Sequence, residues 1–135
     1  MKGIAAGLIC CLAAVPVSAA PNLTGIWFGQ GQPYDKHSMY IDRFMAGGKL
    51  RSEFRDCRNG KPEDSNEDGT WSVQGDILTV KVERRNGVAA QRAETYRLIS
   101  VTPTRFKDLY LPLNFPFDEH RVDEKFVMPD CQLVS

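Results

Sequence analysis

Gly69-Thr70-Trp71-Ser72-Val73-Gln74-Gly75-Asp76-Ile77-Leu78-Thr79-Val80-Lys81-Val82-Glu83-Arg84-Arg85-Asn86-Gly87 is the stretch whose reading decides the fold. Trp71 and Val73 alternate with Ser72 and Gln74, and Leu78, Val80 and Val82 alternate with Thr79, Lys81 and Glu83. A period of two puts every second side chain on one face, so both halves read as strands with one apolar face. Gly75-Asp76 suits a two-residue type II′ hairpin turn, which places glycine first. Asn86-Gly87 is the favoured type I′ pair and predicts a second hairpin directly after the first.

Working outward, the same pattern recurs. Thr24 to Gly29 is an aromatic-rich first strand, and Gly31 to Asp35 is turn-like. Ser38 to Met45 is apolar at Met39, Ile41 and Met45, with Phe44 out of phase, and Asp35 to Phe44 has room for a short helical turn. Ala46-Gly47-Gly48-Lys49 is a tight turn before Leu50 to Cys57, where Leu50, Ser52 and Phe54 oppose Arg51, Glu53 and Arg55. Arg58 to Gly69 is the most polar stretch and reads as an exposed loop. Ala90 to Ile99 forms a strand with Tyr96 and Leu98 inward, and Phe106, Asp108 and Tyr110 share one side of the next. Proline lacks the donor a central strand needs, so Pro112 to Phe117 reads as a loop or an edge. Glu119 to Val127 is the last strand, with Val122 and Phe126 inward. No window of a dozen residues shows a helical period. The class is all-β: about eight strands in a small antiparallel up-and-down barrel or a strongly curled sheet. Closure would hide the edges that invite aggregation. The inward set of Ile41, Phe54, Trp71, Val73, Leu78, Val80, Val82, Tyr96, Leu98, Phe106 and Phe126 is bulky enough to fill a small barrel.

The N-terminus has a different character. Lys2, an apolar run from Ile4 to Val15, Pro16 and then Val17-Ser18-Ala19 have the order of a secretory signal peptide. Cleavage is expected after Ala19, with Ala20 the alternative, leaving residues 20–135 as a single domain. The apolar run is about 12 residues, too short to cross a bilayer as a helix, and no later segment is longer. Cys10 follows Ile9 and Cys11 follows Cys10, which fits lipid attachment poorly. The leader points to a periplasmic or secreted address. There Cys57 and Cys131, the cysteines left after cleavage, are expected to form a disulfide. Loss of Lys2 leaves a net charge of about −1, which argues against nucleic acid as a partner.

Leu23-Thr24-Gly25-Ile26-Trp27, the pair Gly48-Lys49-Leu50 and Phe54-Arg55 before Cys57, Gly69-Thr70-Trp71 with Gly75-Asp76-Ile77-Leu78, and Tyr96-Arg97-Leu98-Ile99 carry a resemblance. Together they resemble the small lipocalin-like domains of bacterial secreted proteins, whose opening Gly-x-Trp is matched by Gly25-Ile26-Trp27. The resemblance spans nearly all of the mature chain. It implies a β-barrel that binds a small apolar molecule, with a secreted inhibitor barrel as a related analogy.

Candidate residues follow. Trp27, Trp71, Tyr96 and Phe106 are expected to line or close a ligand cavity. Leu109, Leu111, Leu113, Phe115 and Phe117 form an apolar, proline-interrupted stretch that suits a protein partner, a homodimer contact or a plug over one barrel end. His37 and His120 are the only imidazoles; zinc would need both with nearby acids, and no spacing enforces that. A small hydrolase would need one of them beside a nucleophile, yet no Gly-x-Ser-x-Gly occurs and Ser38 has no assigned base. No cofactor and no catalytic residue is expected. Arg51, Arg55, Arg58, Arg84, Arg85 and Arg92 alternate with acids, which favours cross-strand ion pairs over a polyanion site. The expected function is non-enzymatic binding of a small apolar molecule; a protein-interaction or inhibitor module and a small hydrolase are the alternatives. Intact-mass measurement of the exported protein should give a chain starting at Ala20, two hydrogens lighter than its reduced form. A mass retaining the leader would remove the export assignment.

Overall fold

A computed structural model describes residues 21–32 and 35–133. The leader, its cleavage point and the Pro33-Tyr34 pair lie outside the described residues. Eight antiparallel strands form one closed up-and-down barrel: β1 (Gly25–Gln32), β2 (Asp35–Phe44), β3 (Lys49–Asp56), β4 (Glu63–Gln74), β5 (Ile77–Arg85), β6 (Val88–Val101), β7 (Arg105–Tyr110) and β8 (Phe115–Val122). Each strand pairs with its sequence neighbour, and β8 returns to β1. The hairpin turns are those the sequence predicts: Gly75 has φ 62°, and Asn86 and Gly87 have φ 49° and 76°.

The interior has two ends. At one, Trp27 is fully buried with its ring edge-on to Phe106 at 4.7 Å, and Phe44 bridges Phe106 and Trp71. Leu23 lies beneath, its carbonyl accepting the Trp27 indole N–H at 2.8 Å. Leu78, Val80, Val82 and Leu98 complete this apolar cluster. Arg121 stacks its guanidinium 4.3 Å from the Trp27 ring and donates to the Thr24 carbonyl, covering the end. Each large side chain buried here stabilises the fold by roughly 1.5–3 kcal/mol.

Several sequence expectations are corrected. Arg58 to Gly69 is not one exposed loop, because β4 begins at Glu63. Its polar strand suits an outer face where Arg51 pairs with Asp68 and Arg55 with Asp64 across the β3–β4 ladder. Asp35 to Phe44 is strand throughout, with no helical turn. Phe44 is not out of phase: it points inward with Tyr40 and Asp42, while Met39 and Ile41 face outward. The last strand is Phe115–Val122 rather than Glu119 to Val127. Among the described residues β1 pairs with β8 only at residues 120–122, so Pro116 lies outside that ladder and its missing N–H removes no bond from it.

Residues 123–130 run outside the barrel without strand structure. Phe126 therefore is not inward; it packs on Phe28 at 4.9 Å. Ile41 is buried on the outer face and shares a depression with Phe126 and Met128. Arg55 donates to the Pro129 carbonyl at 2.9 Å, and the Cys57–Cys131 disulfide anchors the end of the strap. Cys57, Cys131 and Met39 are buried together, with Phe28 and Met128 against them. The bond closes a 74-residue separation, which chain entropy values at roughly 4 kcal/mol. Replacing both cysteines by serine should lower stability by up to about that amount in urea unfolding. Amide exchange should then accelerate first in residues 123–131. Unchanged exchange there would show that Phe28, Met39 and Arg55 hold the strap unaided.

Candidate functional site

The second half of the barrel interior is neither apolar nor full. A cavity of about 230 Å³ lies between the apolar cluster and the opposite end. Its floor is Phe44, Leu50, Leu78 and Val80. Its walls carry Tyr40 and Asp42 from β2, Ser52 and Phe54 from β3, Glu67 from β4, Arg85 from β5, Arg92, Glu94 and Tyr96 from β6, Asp108 from β7, and Phe117 and Glu119 from β8. The sheet's alternation places them there. Tyr40, Asp42 and Phe44 are successive inward positions, as are Phe106, Asp108 and Tyr110. The β4–β5 register slips between Asp68 and Gly69, where Asp68 faces Arg84 and Gly69 faces Val82. Glu83 is the extra residue, and it shifts the phase so that Arg85 joins Glu67 on the inner face. From β1 comes Gly29: a Cβ there would lie 2.4 Å from the Tyr40 ring, so glycine is what lets that ring lie against the backbone.

The charged groups fall into two sets. Arg85 donates to Glu67 at 2.6 Å, and Arg92 donates to both Glu67 oxygens at 2.9 Å and to Glu94 at 2.6 Å. The Tyr96 hydroxyl donates to Glu94 at 2.7 Å. Both arginine side chains are about half exposed, so the cavity reaches solvent beside them. The deeper set is Asp42, Asp108 and Glu119. Ser52 donates to Asp42, and the Tyr40 hydroxyl donates to Glu119 Oε1 at 3.1 Å. Asp108 Oδ1 and Glu119 Oε2 are buried with no hydrogen-bond partner among the described residues. The two residues are only 3% and 4% exposed.

Burial, with mutual repulsion, makes all three acids take up protons far more readily than exposed carboxyl groups do. Desolvation pushes Asp42 up to about 7, partly offset by the Ser52 hydrogen bond, with Glu94 and Glu67 adding repulsion. Desolvation and the charge of Asp42 push Asp108 up to about 8. Glu119 rises well above the usual carboxylate range through desolvation and then Asp42 and Asp108. Burial also raises the Tyr40 and Tyr96 hydroxyls, so both stay protonated donors at neutral pH.

The aromatic residues singled out from sequence divide. Tyr96 lines the cavity, whereas Trp27, Trp71 and Phe106 belong to the apolar end and lie outside its lining. The stretch 109–117 does not present one face. Phe117 lines the cavity, with its ring edge-on to Tyr40 and Tyr96. Phe115 begins β8 half-buried, Leu109 borders an outer depression with Ile99 and Pro116, and Leu111 and Leu113 lie in the β7–β8 turn, Leu113 exposed. His37 and His120 are both exposed and outside the cavity. Among the described residues no group of three His, Cys, Asp or Glu side chains is placed to hold a metal ion. Arg51, Arg55 and Arg58 pair with acids on the outside, while Arg85 and Arg92 turn inward. The deep acids escaped sequence reading, yet each left a signal: a carboxylate two residues from aromatics on an inward face, as in Tyr40-x-Asp42-x-Phe44, Phe106-x-Asp108-x-Tyr110 and Phe117-x-Glu119. Neither a protein-family model nor a curated protein sequence matches the chain.

A raised folded pKa means that the folded state binds the proton more tightly than the unfolded chain does. The contribution of Asp42 and Asp108 is therefore fully present below about pH 4 and lost as pH rises through about 7 and 8. The protein should lose thermal stability progressively between about pH 4 and pH 8. Asp108→Asn should raise Tm at about pH 8.5 by at least about 4 °C, the equivalent of about 1 kcal/mol, and change it little below about pH 4. Equal or lower stability of the variant at the higher pH would show that this carboxylate ionises without cost.

Proposed function

We propose that this is a periplasmic or secreted binding protein that holds a small molecule non-covalently inside the barrel. The observation that carries the reading is the cavity of about 230 Å³ with buried, unpartnered oxygens on Asp108 and Glu119. Filling that space with leucine or phenylalanine would stabilise the barrel more than buried carboxyl groups do. Unsatisfied buried acceptors call for a partner, and a ligand supplies one. The volume lies below the range of ordinary drug-sized pockets, so the molecule is small. It is amphipathic rather than purely apolar: Leu50, Leu78 and Val80 take its apolar part, and the acids take a polar one. The leader and the Cys57–Cys131 disulfide support the address, since such bonds persist in oxidising compartments. The partner-protein reading has less behind it, because the residues from Leu109 to Phe117 divide between the turn, the outer face and the cavity.

Native mass spectrometry of the protein purified without detergent, joined to a fragment screen read by amide and aromatic NMR shifts, tests the reading. Binding should perturb Tyr40, Phe54, Tyr96 and Phe117 together. Perturbations confined to Ile99, Leu109 and Leu113 would replace interior binding by an outer-surface role.

A further inference from the structure

We propose that the cavity selects a primary organic ammonium ion whose N–H groups donate to Asp108 and Glu119 and whose short apolar body rests on the barrel core. This rests on the interior-binding reading above and names its ligand class. Charge is the first argument. Five carboxyl groups and two guanidiniums line the cavity, and both guanidiniums are engaged by Glu67 and Glu94. Among the described residues Asp42, Asp108 and Glu119 have no cation beside them; their donors are the Ser52 and Tyr40 hydroxyls, neither of which reaches Asp108 Oδ1 or Glu119 Oε2. What completes this site brings positive charge and more than one N–H donor.

Each competing class lacks one of these. At about pH 8, where Asp42 is ionised, a carboxylate ligand adds to the repulsion. An alcohol supplies a donor but no charge. A quaternary ammonium supplies charge without donors. A metal ion needs ligands that converge, and among the described residues no such set of three exists. The walls suit the rest of an amine: Tyr40, Phe54, Tyr96 and Phe117 present aromatic surface, which attracts a cation as well as a ring. The space equals that of about eight waters, enough for one ring and a two-carbon chain.

Isothermal titration near pH 8 should use a matched set: 2-phenylethylamine, 2-phenylethanol, 3-phenylpropionate, trimethyl(2-phenylethyl)ammonium and calcium chloride. The amine should bind at least about tenfold tighter than the alcohol or the quaternary ion, and the propionate should not bind. Asp108→Asn and Glu119→Gln should each weaken the amine by about tenfold and leave the alcohol unchanged, their folding checked by circular dichroism. Since the acids must surrender their protons, affinity of the intact protein for the amine should rise between about pH 6 and pH 8 with proton release, whether or not the variants fold. Equal binding of amine and alcohol, or preference for the quaternary ion or calcium, would overturn the ammonium assignment and leave interior binding standing. No heat with the amine at about 10 mM would overturn the assignment; absence of any cavity shift in the fragment screen as well would remove the interior-binding reading with it.

Discussion

Trp27 holds the barrel shut. Among the described residues the β1–β8 seam has three residue pairs, and Trp27 sits at the middle one, opposite Arg121. Its ring is packed from inside by Phe106 and covered from outside by the Arg121 guanidinium, while its indole N–H fixes Leu23 beneath it. Every other strand pair is a hairpin ladder between chain neighbours, which local turns can start. The seam joins the first strand to the last, so its loop-closure cost is the largest in the fold. Concentrating a fully buried aromatic pair at that point offsets the cost where, among the described residues, the ladder is shortest.

With one end sealed by aromatics, the opposite half is free to be different. The apolar cluster ends at Phe44, Leu50, Leu78 and Val80, and above it the inward positions are held by ionisable and aromatic groups. The two ends of the cavity handle charge by different means. Near solvent, Arg85 and Arg92 neutralise Glu67 and Glu94 in a chain of charge-assisted hydrogen bonds. Deeper down, Asp42, Asp108 and Glu119 have raised pKa values, so protonation lessens the penalty of buried charge there. Among the described residues nothing donates to Asp108 Oδ1 or Glu119 Oε2, and on the proposed reading a donor-bearing ligand does. The outer strap from 123 to 131 is a separate device: it buries Met39, Ile41 and Phe28, which a bare barrel would expose.

Legibility followed the physics of each strand. Where the inner face is apolar and the outer face polar, as in Leu78-Thr79-Val80-Lys81-Val82, alternation was enough. It failed on β2, where the tail makes the outer face apolar as well, so Met39 and Ile41 compete in phase with Tyr40 and Phe44. It failed again on β4, whose outer face is ion-paired and whose inner face holds Glu67. It misplaced the strand end at Phe126, because a residue buried beneath a strap has the same composition as one buried in a barrel. The site was hidden for a related reason. A carboxylate in an inward position reads as a solvated residue until the partner strands are known.

The sequence by itself determined the all-β class, the number of strands, their hairpin order and the pairing of two cysteines. These depend on period-two patterning and turn chemistry, which act over a few residues, and on a count of thiols. Only the tertiary structure decided that the sheet closes, that Glu83 slips the register to bring Arg85 inside, and that acids from β2, β7 and β8 meet in one cavity. Asp42 and Asp108 are 66 residues apart in the chain, and Asp108 and Glu119 are joined by a hairpin; nothing local makes them neighbours. Burial and shared surroundings give those acids their chemistry, and both are properties of the closed barrel rather than of any segment in it.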